Sequence, residues 1–267
     1  MPFETSALLE PVIRLAAQAS ERIMAIYATG FSVVKKADAS PLTAADTASH
    51  ETISQGLQSL TPDIPVLSEE SASVPFEQRV HWPRFWLVDP LDGTKEFINR
   101  NGEFTVNIAL IERGKPILGV VHIPATGVCY YAARELGAFR QERGAADHRI
   151  AAQASPDEAV LRVVGSRSHG GEKVAAFAQR LGAHQFIAVG SSLKFCLVAE
   201  GRADIYPRLG PTWEWDTAAA QCIVEEAGGR VIAIDGQPLR YNKESLLNPQ
   251  FLVFGDASRD WLSYLPS

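Results

Sequence analysis

The sequence predicts an α+β protein in two parts, an N-terminal α+β half over residues 1–150 and a C-terminal α/β half over residues 151–267. In the first part, apolar residues recur with a helical period and then alternate with polar residues, as in antiparallel strands. Residues 141–157 are rich in Ala, Arg and Gly without periodicity, so we place the boundary there. Beyond it, strand and helix patterns alternate, which is typical of an α/β layer system.

Two helices are predicted at the start of the chain. Apolar residues from Leu8 to Tyr27 recur at three- and four-residue steps, and Gly30 ends that pattern. A second helix is predicted to begin after Thr43, which can act as its N-cap residue, and to end at Leu60. These two helices therefore precede the strands of the first half.

Short apolar runs then predict the strands. Residues 66–67 form a brief strand that ends at Ser68-Glu69-Glu70, and the stretch from there to Pro83 is predicted to be a loop. The turn at 112–115 indicates a β-hairpin. Further strands of the first half are predicted near 85–88, 104–112, 116–123 and 128–132. In the second half, strands are predicted near 161–165, 186–189, 203–206, 230–234 and 251–254, and helices near 171–182, 191–201 and 216–228.

Composition narrows the class of function. The chain has 267 residues, 46% of them hydrophobic, and a net charge of −6, which disfavours sequence-independent binding of polymeric nucleic acid. The cysteines, Cys129, Cys196 and Cys222, form no CxxC pair and are typical of buried reduced thiols. The start of the chain lacks a signal-peptide pattern, and no apolar run reaches the ~18–20 residues of a membrane span. We therefore expect a cytoplasmic protein.

The residues that suggest chemistry begin where an apolar strand ends at Asp89-Pro90-Leu91-Asp92-Gly93-Thr94. Buried carboxylates cost several kcal/mol unless they are paired or bind a metal, so two of them at a strand end have no structural purpose. A strand end that delivers two carboxylates to a helix start suits a hard cation and a phosphate. This segment therefore predicts phosphate chemistry.

Three other acidic segments have similar local settings. Asp46, Glu69-Glu70 and Asp216 each lie near a strand end or a helix start. Taken alone, Asp216 fits a helix cap equally well, and Glu69-Glu70 fits a solvated turn better. Taken together with Asp89 and Asp92, these oxygen donors favour Mg²⁺ or Mn²⁺ over Zn²⁺. No regularly spaced acidic loop indicates a structural Ca²⁺ site of the EF-hand kind.

The combination of D-P-x-D-G-T at 89–94, Glu69 upstream and W-D-x-A-A at 215–219 resembles the signature of the inositol monophosphatase superfamily of lithium-sensitive Mg²⁺ phosphatases. The resemblance extends over nearly the whole chain. It implies an αβαβα layered sandwich in which the two halves meet at the metal site. One local difference is Trp213, where the resemblance leads us to expect a smaller apolar residue.

Within that superfamily, further segments resemble the CysQ-type 3′(2′),5′-bisphosphate nucleotidases. That resemblance implies hydrolysis of adenosine 3′,5′-bisphosphate to AMP and phosphate, a role in sulfur metabolism and inhibition by lithium. The segments are S-P-L-T-A-A-D at 40–46, L-S-E-E at 67–70, G-T-K-E-F at 93–97, G-S-R-S-H at 165–169, G-S-S-L-K-F at 190–195 and Y-P-R at 206–208.

The resemblance also implies residue roles. One Mg²⁺, which carries the attacking water, would be held by Glu69, Asp89 and the Leu91 carbonyl. A second ion, beside the leaving oxygen, would be held by Asp89, Asp92 and Asp216, and a third, weaker ion near Glu69 is left open. The backbone N–H groups of Gly93 and Thr94 would bind the scissile phosphate. The Thr94 hydroxyl, oriented by Asp46, would help to deprotonate the water.

A second phosphate on the substrate requires a separate cationic clamp. Lys194 and Arg208 are its candidates, and the residues expected to line the sugar or phosphate are Ser166, Arg167, Ser168 and His169. Each candidate has an alternative: Lys194 could lie on a solvated helix face, Arg208 could pair with a structural carboxylate, and His169 could cap a helix. Lys36 is a further candidate for the site but fits surface charge better.

Two other functions stay open from the sequence. The first is phosphatase activity on inositol or fructose phosphates within the same superfamily. The second is a non-catalytic nucleotide sensor, which the complete acidic set disfavours. The expected partner is a small-molecule bisphosphate nucleotide, with no polymeric nucleic acid and at most a peripheral membrane contact, in a monomer or homodimer.

Overall fold

A computed structural model describes residues 5–29, 33–35, 41–71, 73–154, 160–167 and 171–266. The α-helices are α1 (Ser6–Tyr27), α2 (Ala44–Leu60), α3 (Phe76–Arg79), α4 (Thr94–Ile98), α5 (Gly171–Arg180), α6 (Leu193–Ala199) and α7 (Glu214–Glu226). The strands are β1 (Val33–Lys35), β2 (Pro41–Thr43), β3 (Val66–Ser68), β4 (Arg84–Asp92), β5 (Thr105–Glu112), β6 (Lys115–Ile123), β7 (Val128–Ala133), β8 (Gly137–Gln141), β9 (His148–Ile150), β10 (Leu161–Gly165), β11 (His184–Ala188), β12 (Ile205–Arg208), β13 (Arg230–Ala233) and β14 (Phe251–Phe254).

The described strands form two large sheets and one small one. The first large sheet has seven strands in the order β3-β4-β5-β6-β7-β8-β9, and only its β3–β4 pair is parallel. The second has five strands in the order β11-β10-β12-β14-β13, with parallel and antiparallel pairs. The small sheet pairs β1 with β2.

Helices cover both faces of the seven-stranded sheet because its strands are apolar on both sides. Trp86 and Val88 of β4 pack in one core with α1 and α2, whereas their neighbours Phe85 and Leu87 pack in the core that contains α6 and α7. Successive side chains of a strand point to opposite faces, so a strand that alternates between two cores lies between two helical layers.

The second core joins the two sheets. It contains residues of the seven-stranded sheet, of α6 and α7, and of β12, β13 and β14. Helix α7 lies so close to β6 that a Cβ atom at Gly119 would stand 2.2 Å from the Ala219 carbonyl oxygen. On the far side of the five-stranded sheet, Val174 and Phe177 of α5 pack against Leu161 and Val163. The layers therefore run αβαβα, as predicted.

Most predicted elements are confirmed. Thr43 is the N-cap of α2, and its hydroxyl accepts a hydrogen bond from the Ala45 N–H. The predicted hairpin turn has φ of 49° at Arg113 and 75° at Gly114, which is the backbone that a two-residue turn between antiparallel strands requires. No described helix is long and apolar enough to cross a membrane.

Two sequence predictions about irregular segments were wrong. The predicted loop before Pro83 contains a 3₁₀ helix (Glu69–Ser71) and the short helix α3, whose Arg79 is buried and bonds to backbone carbonyls of residues 243 and 244. The predicted boundary segment contains β9, which pairs with β8 at the edge of the first sheet. Neither short element has the apolar periodicity that sequence reading detects. The division into halves at residue 150 stays a prediction.

Candidate active site

Two strands of the first sheet bring Glu69 beside Asp89. Strand β3 runs parallel to β4, and Ser68 pairs with Val88. The residue that follows each of these is a carboxylate: Glu69, which begins the 3₁₀ helix directly after β3, and Asp89 within β4. Register therefore places together two acidic residues that lie twenty positions apart in the sequence.

A β-bulge brings Asp92 to the same side of the sheet as Asp89. On β4, Asp89 pairs with Asn107 and Asp92 pairs with Thr105, so three steps on one strand match two on its partner. In a regular strand, residues three apart point to opposite faces, and one extra residue restores a common face. The D-P-x-D spacing thus gives two neighbouring carboxylates because the strand is irregular there.

Helix α7 supplies the remaining carboxylate from the second half of the chain. Asp216 lies in its first turn and accepts a hydrogen bond from the Trp213 N–H at 2.9 Å, so the residue also caps the helix. The hydroxyl of Ser192 joins the two halves: its oxygen lies 2.8 Å from Asp92 Oδ2 and 2.9 Å from the Asp216 carbonyl oxygen. Asp216 therefore caps α7, as its alternative role predicted, and also lies at the site.

The carboxylates repel one another. Burial raises the pKa of Asp89 well above its usual value, and the negative charges of Glu69, Asp92 and Asp216 raise it further, against one stabilising N–H bond from Leu91 at 3.0 Å. Burial likewise raises the pKa of Asp216, with Asp92 adding to the effect. Bringing these groups together costs folding free energy unless something positive binds between them.

The chemistry of this donor set fits Mg²⁺. Among the residues that the structure describes, no three His, Cys, Asp or Glu side chains are arranged to hold a metal ion as they stand. The donors nevertheless consist of oxygen alone, from Glu69, Asp89, Asp92 and Asp216, and the charge of a cation would offset the repulsion that burial imposes on Asp89. All four residues line one cavity.

Thr94 lies at the start of α4, next to the acidic residues. Its hydroxyl donates to Asp46 Oδ1 at 3.3 Å and lies 3.4 Å from the Leu91 carbonyl oxygen. The other oxygen of Asp46 accepts bonds from the N–H and hydroxyl of Thr43, at 2.8 and 2.6 Å. Asp46 is thus fixed by the cap of α2 while it orients Thr94. Gly93, with φ of 90°, has the left-handed backbone that turns the chain from β4 into α4.

The same cavity also contains two cations, Lys194 and Arg208. Lys194 is 5% exposed, so its alternative as a solvated helix residue is wrong. Its ammonium donates to the Ser191 carbonyl at 2.6 Å and lies 5.5 Å from the centre of the Tyr206 ring. Burial lowers the pKa of Lys194 to about 8, and the nearby Arg208 contributes in the same direction, whereas Asp92 opposes it. Arg208 donates to the Pro211 carbonyl at 2.6 Å.

One cavity of about 280 Å³ contains most of the predicted site. The predicted residues that line it are Glu69, Asp89, Leu91, Asp92, Gly93, Thr94, Ser166, Lys194, Arg208 and Asp216. Arg167 is not among its lining residues, because its guanidinium is ion-paired with Glu103 at 2.8 Å and also donates to the Ala188 carbonyl. Ser168, His169 and Lys36 lie outside the described residues.

Sequence reasoning missed residues that hold this site together. Asn107, within the apolar strand β5, donates to Ser192 Oγ at 2.8 Å, and Ser192 in turn contacts Asp92. Both residues are buried. A single amide in an otherwise apolar strand is a detectable signal, since buried polar groups require partners. Trp213 and Trp215 also line the cavity. The sequence marked Trp213 as a difference from the family pattern and Trp215 as part of the signature, but neither was predicted to be a site residue.

Several buried polar atoms around the cavity lack partners. Within the described part of the chain, no hydrogen bond reaches Ser191 Oγ, Arg208 Nε or Trp215 Nε1. All three residues line the cavity, and Ser191 also has a positive φ of 46°. Native proteins satisfy nearly all buried polar groups, and strained backbone tends to occur at functional sites. These atoms therefore have hydrogen-bonding capacity that the described residues leave unused.

Comparisons with known proteins agree with this geometry. A sequence profile of the inositol monophosphatase family matches residues 4–258. The 3′(2′),5′-bisphosphate nucleotidase CysQ of Salmonella typhimurium (strain LT2) is 53% identical over 249 residues, which cover 92% of this chain and 99% of that protein. The protein of the same name from Aggregatibacter actinomycetemcomitans is 42% identical, over 95% of this chain and 94% of its own length.

Solved structures show the same fold. The crystal structure of CysQ from Bacteroides thetaiotaomicron, described as a bacterial member of the inositol monophosphatase family, superimposes with a TM-score of 0.83 at 41% identity, covering 95% of this chain and 98% of that one. An inositol monophosphatase from Anabaena superimposes with a TM-score of 0.78 at 25% identity, covering 98% and 97%.

Proposed function

The chain belongs to the inositol monophosphatase family, and on that basis we propose that it is a 3′(2′),5′-bisphosphate nucleotidase that hydrolyses adenosine 3′,5′-bisphosphate to AMP and phosphate. The observation that carries the proposal is a cavity lined by both kinds of charge. Carboxylates suited to Mg²⁺ line it together with Lys194 and Arg208. A substrate with two phosphates can use both groups at once.

The family and its CysQ members depend on Mg²⁺, and the residues that would hold the metal are Glu69, Asp89, Asp92, Asp216 and the Leu91 carbonyl. Bound Mg²⁺ supplies Lewis-acid chemistry, which makes a water nucleophilic at neutral pH and neutralises charge on the phosphate. We propose two ions and a third, weaker one near Glu69. The buried position of Asp89 between the other carboxylates supports its role as the shared ligand.

Proton transfer from the attacking water involves Thr94 and Asp46. The Thr94 hydroxyl accepts a proton from the water as it passes its own proton to Asp46 Oδ1, which lies 3.3 Å away. Asp46 can take this role because the cap of α2 fixes its other oxygen. Glu69 stands on the same side of the cavity and orients the water. A modest base suffices where a cation has already lowered the pKa of the water.

The two phosphates of the substrate bind two different groups of residues in the cavity. The backbone N–H groups of Gly93 and Thr94 hold the scissile 3′-phosphate. Lys194 and Arg208 hold the 5′-phosphate, since the Arg208 Nε is a buried donor without a recorded partner in the described residues. Charge-assisted hydrogen bonds of this kind are about twice as strong as neutral ones. Ser166 lines the cavity between the sugar and this clamp.

The proposal also concerns location and assembly. The three cysteines are free and buried, which supports a reducing compartment, and we propose the cytoplasm. The substrate is a small molecule. The monomer or homodimer state and a membrane contact that is at most peripheral stay predictions from the sequence.

A substrate comparison tests the proposed function. Phosphate release is measured from adenosine 3′,5′-bisphosphate and from inositol 1-phosphate, each with Mg²⁺ and with excess chelator. We expect fast release from the nucleotide that requires Mg²⁺, and slow release from the inositol ester. Rapid release from the inositol ester alone would assign the chain to the sugar phosphatases instead. Binding of the nucleotide without any release would identify a sensor.

A further inference from the structure

Two tryptophans form a flat surface at the edge of the cavity. The rings of Trp213 and Trp215 are stacked, with centroids 5.4 Å apart and planes inclined by 15°. Trp215 is 6% exposed, whereas Trp213 is 42% exposed, and both line the cavity that holds the carboxylates. One face of Trp213 therefore rests on a buried ring, and its remaining surface is available to a ligand.

The backbone holds Trp213 in a fixed position. Its N–H donates to Asp216 Oδ2 at 2.9 Å, and its carbonyl accepts a bond from the Asn248 side chain at 2.8 Å. An antiparallel bridge pairs it with Leu247, which is 40% exposed. These contacts fix the main chain of Trp213, and stacking on Trp215 supports its ring, so the contact surface is pre-organised.

The position of this surface relative to the cations defines its ligand. The cavity that Trp213 lines also contains Lys194 and Arg208, so a molecule bound there must combine anionic groups with a flat apolar part. Phosphorylated inositol and fructose present hydroxyl groups and have no π face. A nucleotide has a planar base, and every base can stack on an aromatic ring.

We propose that Trp213, supported by Trp215 and flanked by Leu247, is the surface on which the nucleobase of the substrate stacks, and that it makes the enzyme selective for nucleotides over other phosphate esters. This inference rests on the proposed function and specifies its substrate recognition. On this proposal Trp213 is a specificity residue that contacts the base and not the bond that breaks. The indole N–H of Trp215, which also lines the cavity, is buried and has no hydrogen-bond partner among the described residues.

Two substrates separate base recognition from the rest of binding. Adenosine 3′,5′-bisphosphate carries the base, and ribose 3,5-bisphosphate carries both phosphates without it. Steady-state kinetics with Mg²⁺ are measured for the wild type, W213A and W213F. Base–aromatic stacking has an effect of about tenfold in binding, so we expect W213A to raise KM for the nucleotide by about tenfold with kcat unchanged. W213F should retain most of the affinity, and KM for the base-free ester should not change in either variant.

Controls separate this result from a loss of structure. Phe186 is 45% exposed and does not line the cavity, so F186A removes an aromatic ring of similar exposure and should leave both substrates unaffected. Unchanged thermal unfolding of W213A would show that α7 is intact. An equal rise in KM for both substrates, or no rise for the nucleotide, would overturn the proposal. Failure of the wild type to hydrolyse the nucleotide would instead overturn the proposed function.

Discussion

Two groups of residues line the cavity, and the fold positions them in different ways. The acidic wall, which consists of Glu69, Asp89 and Asp92, comes from two neighbouring strands, where parallel register and a one-residue bulge bring the carboxylates together. The binding wall, which consists of Lys194, Arg208 and Trp213, comes from a helix, a strand and the residue before another helix. Strand register and the bulge position the first wall, whereas local hydrogen bonds to main-chain groups and the stacking of two indole rings position the second.

This difference separates two properties of the enzyme. On the proposed function, the acidic wall determines whether a phosphate ester is hydrolysed, because its oxygens suit the metal that the reaction needs. On the same proposal, the binding wall determines which ester is bound, because its charges and aromatic ring meet parts of the substrate that do not react. Substitutions in the two walls should therefore change different kinetic quantities.

The largest effect is expected on the acidic wall. We predict that Asp89→Asn lowers kcat for adenosine 3′,5′-bisphosphate by about 10³-fold or more, because the shared metal ligand loses its charge. Since Asp89 is buried among like charges, the same change should not lower the free energy of unfolding in chelator. Phosphate release and urea unfolding measure the two effects. A kcat within tenfold of the wild type would show that Asp89 is not the shared ligand.

A smaller and more selective effect is expected on the binding wall. Lys194→Met should lower kcat/KM for adenosine 3′,5′-bisphosphate by about 10- to 100-fold, which is the usual range for losing a hydrogen bond to a charged group. Adenosine 3′-monophosphate, which lacks the 5′-phosphate, should be hydrolysed at nearly the wild-type rate. The matched control is Lys173→Met on the exposed side of α5. Equal losses on both substrates would mean that Lys194 supports the site as a whole.

A smaller effect is expected at Ser192, which contacts Asp92 and Asp216. Ser192→Ala removes the hydroxyl that lies 2.8 Å from Asp92 Oδ2, so we expect kcat to fall by about fivefold to tenfold on both nucleotides. Because Ser192 acts by positioning Asp92, the Mg²⁺ concentration for half-maximal activity should also rise. Ser59→Ala, an exposed hydroxyl on α2, is the control. An unchanged Mg²⁺ requirement would argue against a positioning role.

The smallest effect on turnover is expected at His122, which lies in neither wall. Burial lowers its pKa to about 4, and its ring accepts or donates one bond to Ser20 Oγ at 2.7 Å. Below about pH 6.5, which is the usual pKa of histidine, the unfolded chain binds a proton at His122 that the folded chain does not. The contribution of His122 to the free energy of unfolding is therefore fully present above that pH and is lost as the pH falls towards 4. The total loss should be roughly 3 kcal/mol.

Unfolding by urea between pH 4 and pH 7 checks this prediction. The comparison is between the wild type and His122→Gln, which keeps a polar group near Ser20 but cannot titrate. Other groups that line the same cavity, Glu21, Glu142, Arg143 and Cys129, are present in both proteins, so the difference isolates His122. Equal pH dependence in the two proteins would contradict the assigned titration. The preference between the two nucleotides should not change in His122→Gln.

The two walls also differ in how far the sequence predicts them. The residues of the acidic wall were all singled out from the sequence, because they lie in short motifs at strand ends, and all of them line the cavity. Their role as metal ligands stays a prediction. The binding wall was predicted only in part: Lys194 and Arg208 line the cavity, whereas Arg167 pairs with Glu103. Asn107 and Ser192 were missed because their roles depend on contacts between residues 85 positions apart. Spacing within a motif does not record such contacts.

Dependence on distant contacts also explains which helices and strands the sequence did not predict. Periodic segments such as α1 and β5 were predicted almost to their ends, whereas α3 and β9 were missed because each is three or four residues long and is stabilised by tertiary contacts. Arg79 of α3, for example, bonds to residues more than 160 positions away.

The separation of hydrolysis from selection is tested most directly by one ratio: kcat/KM for adenosine 3′,5′-bisphosphate divided by kcat/KM for adenosine 3′-monophosphate. It is measured in the wild type, Asp89→Asn and Lys194→Met at saturating Mg²⁺. We predict that Asp89→Asn keeps the wild-type ratio at a greatly reduced rate, and that the ratio falls by about 10-fold or more in Lys194→Met. A changed ratio in Asp89→Asn, or an unchanged ratio in Lys194→Met, would contradict the account.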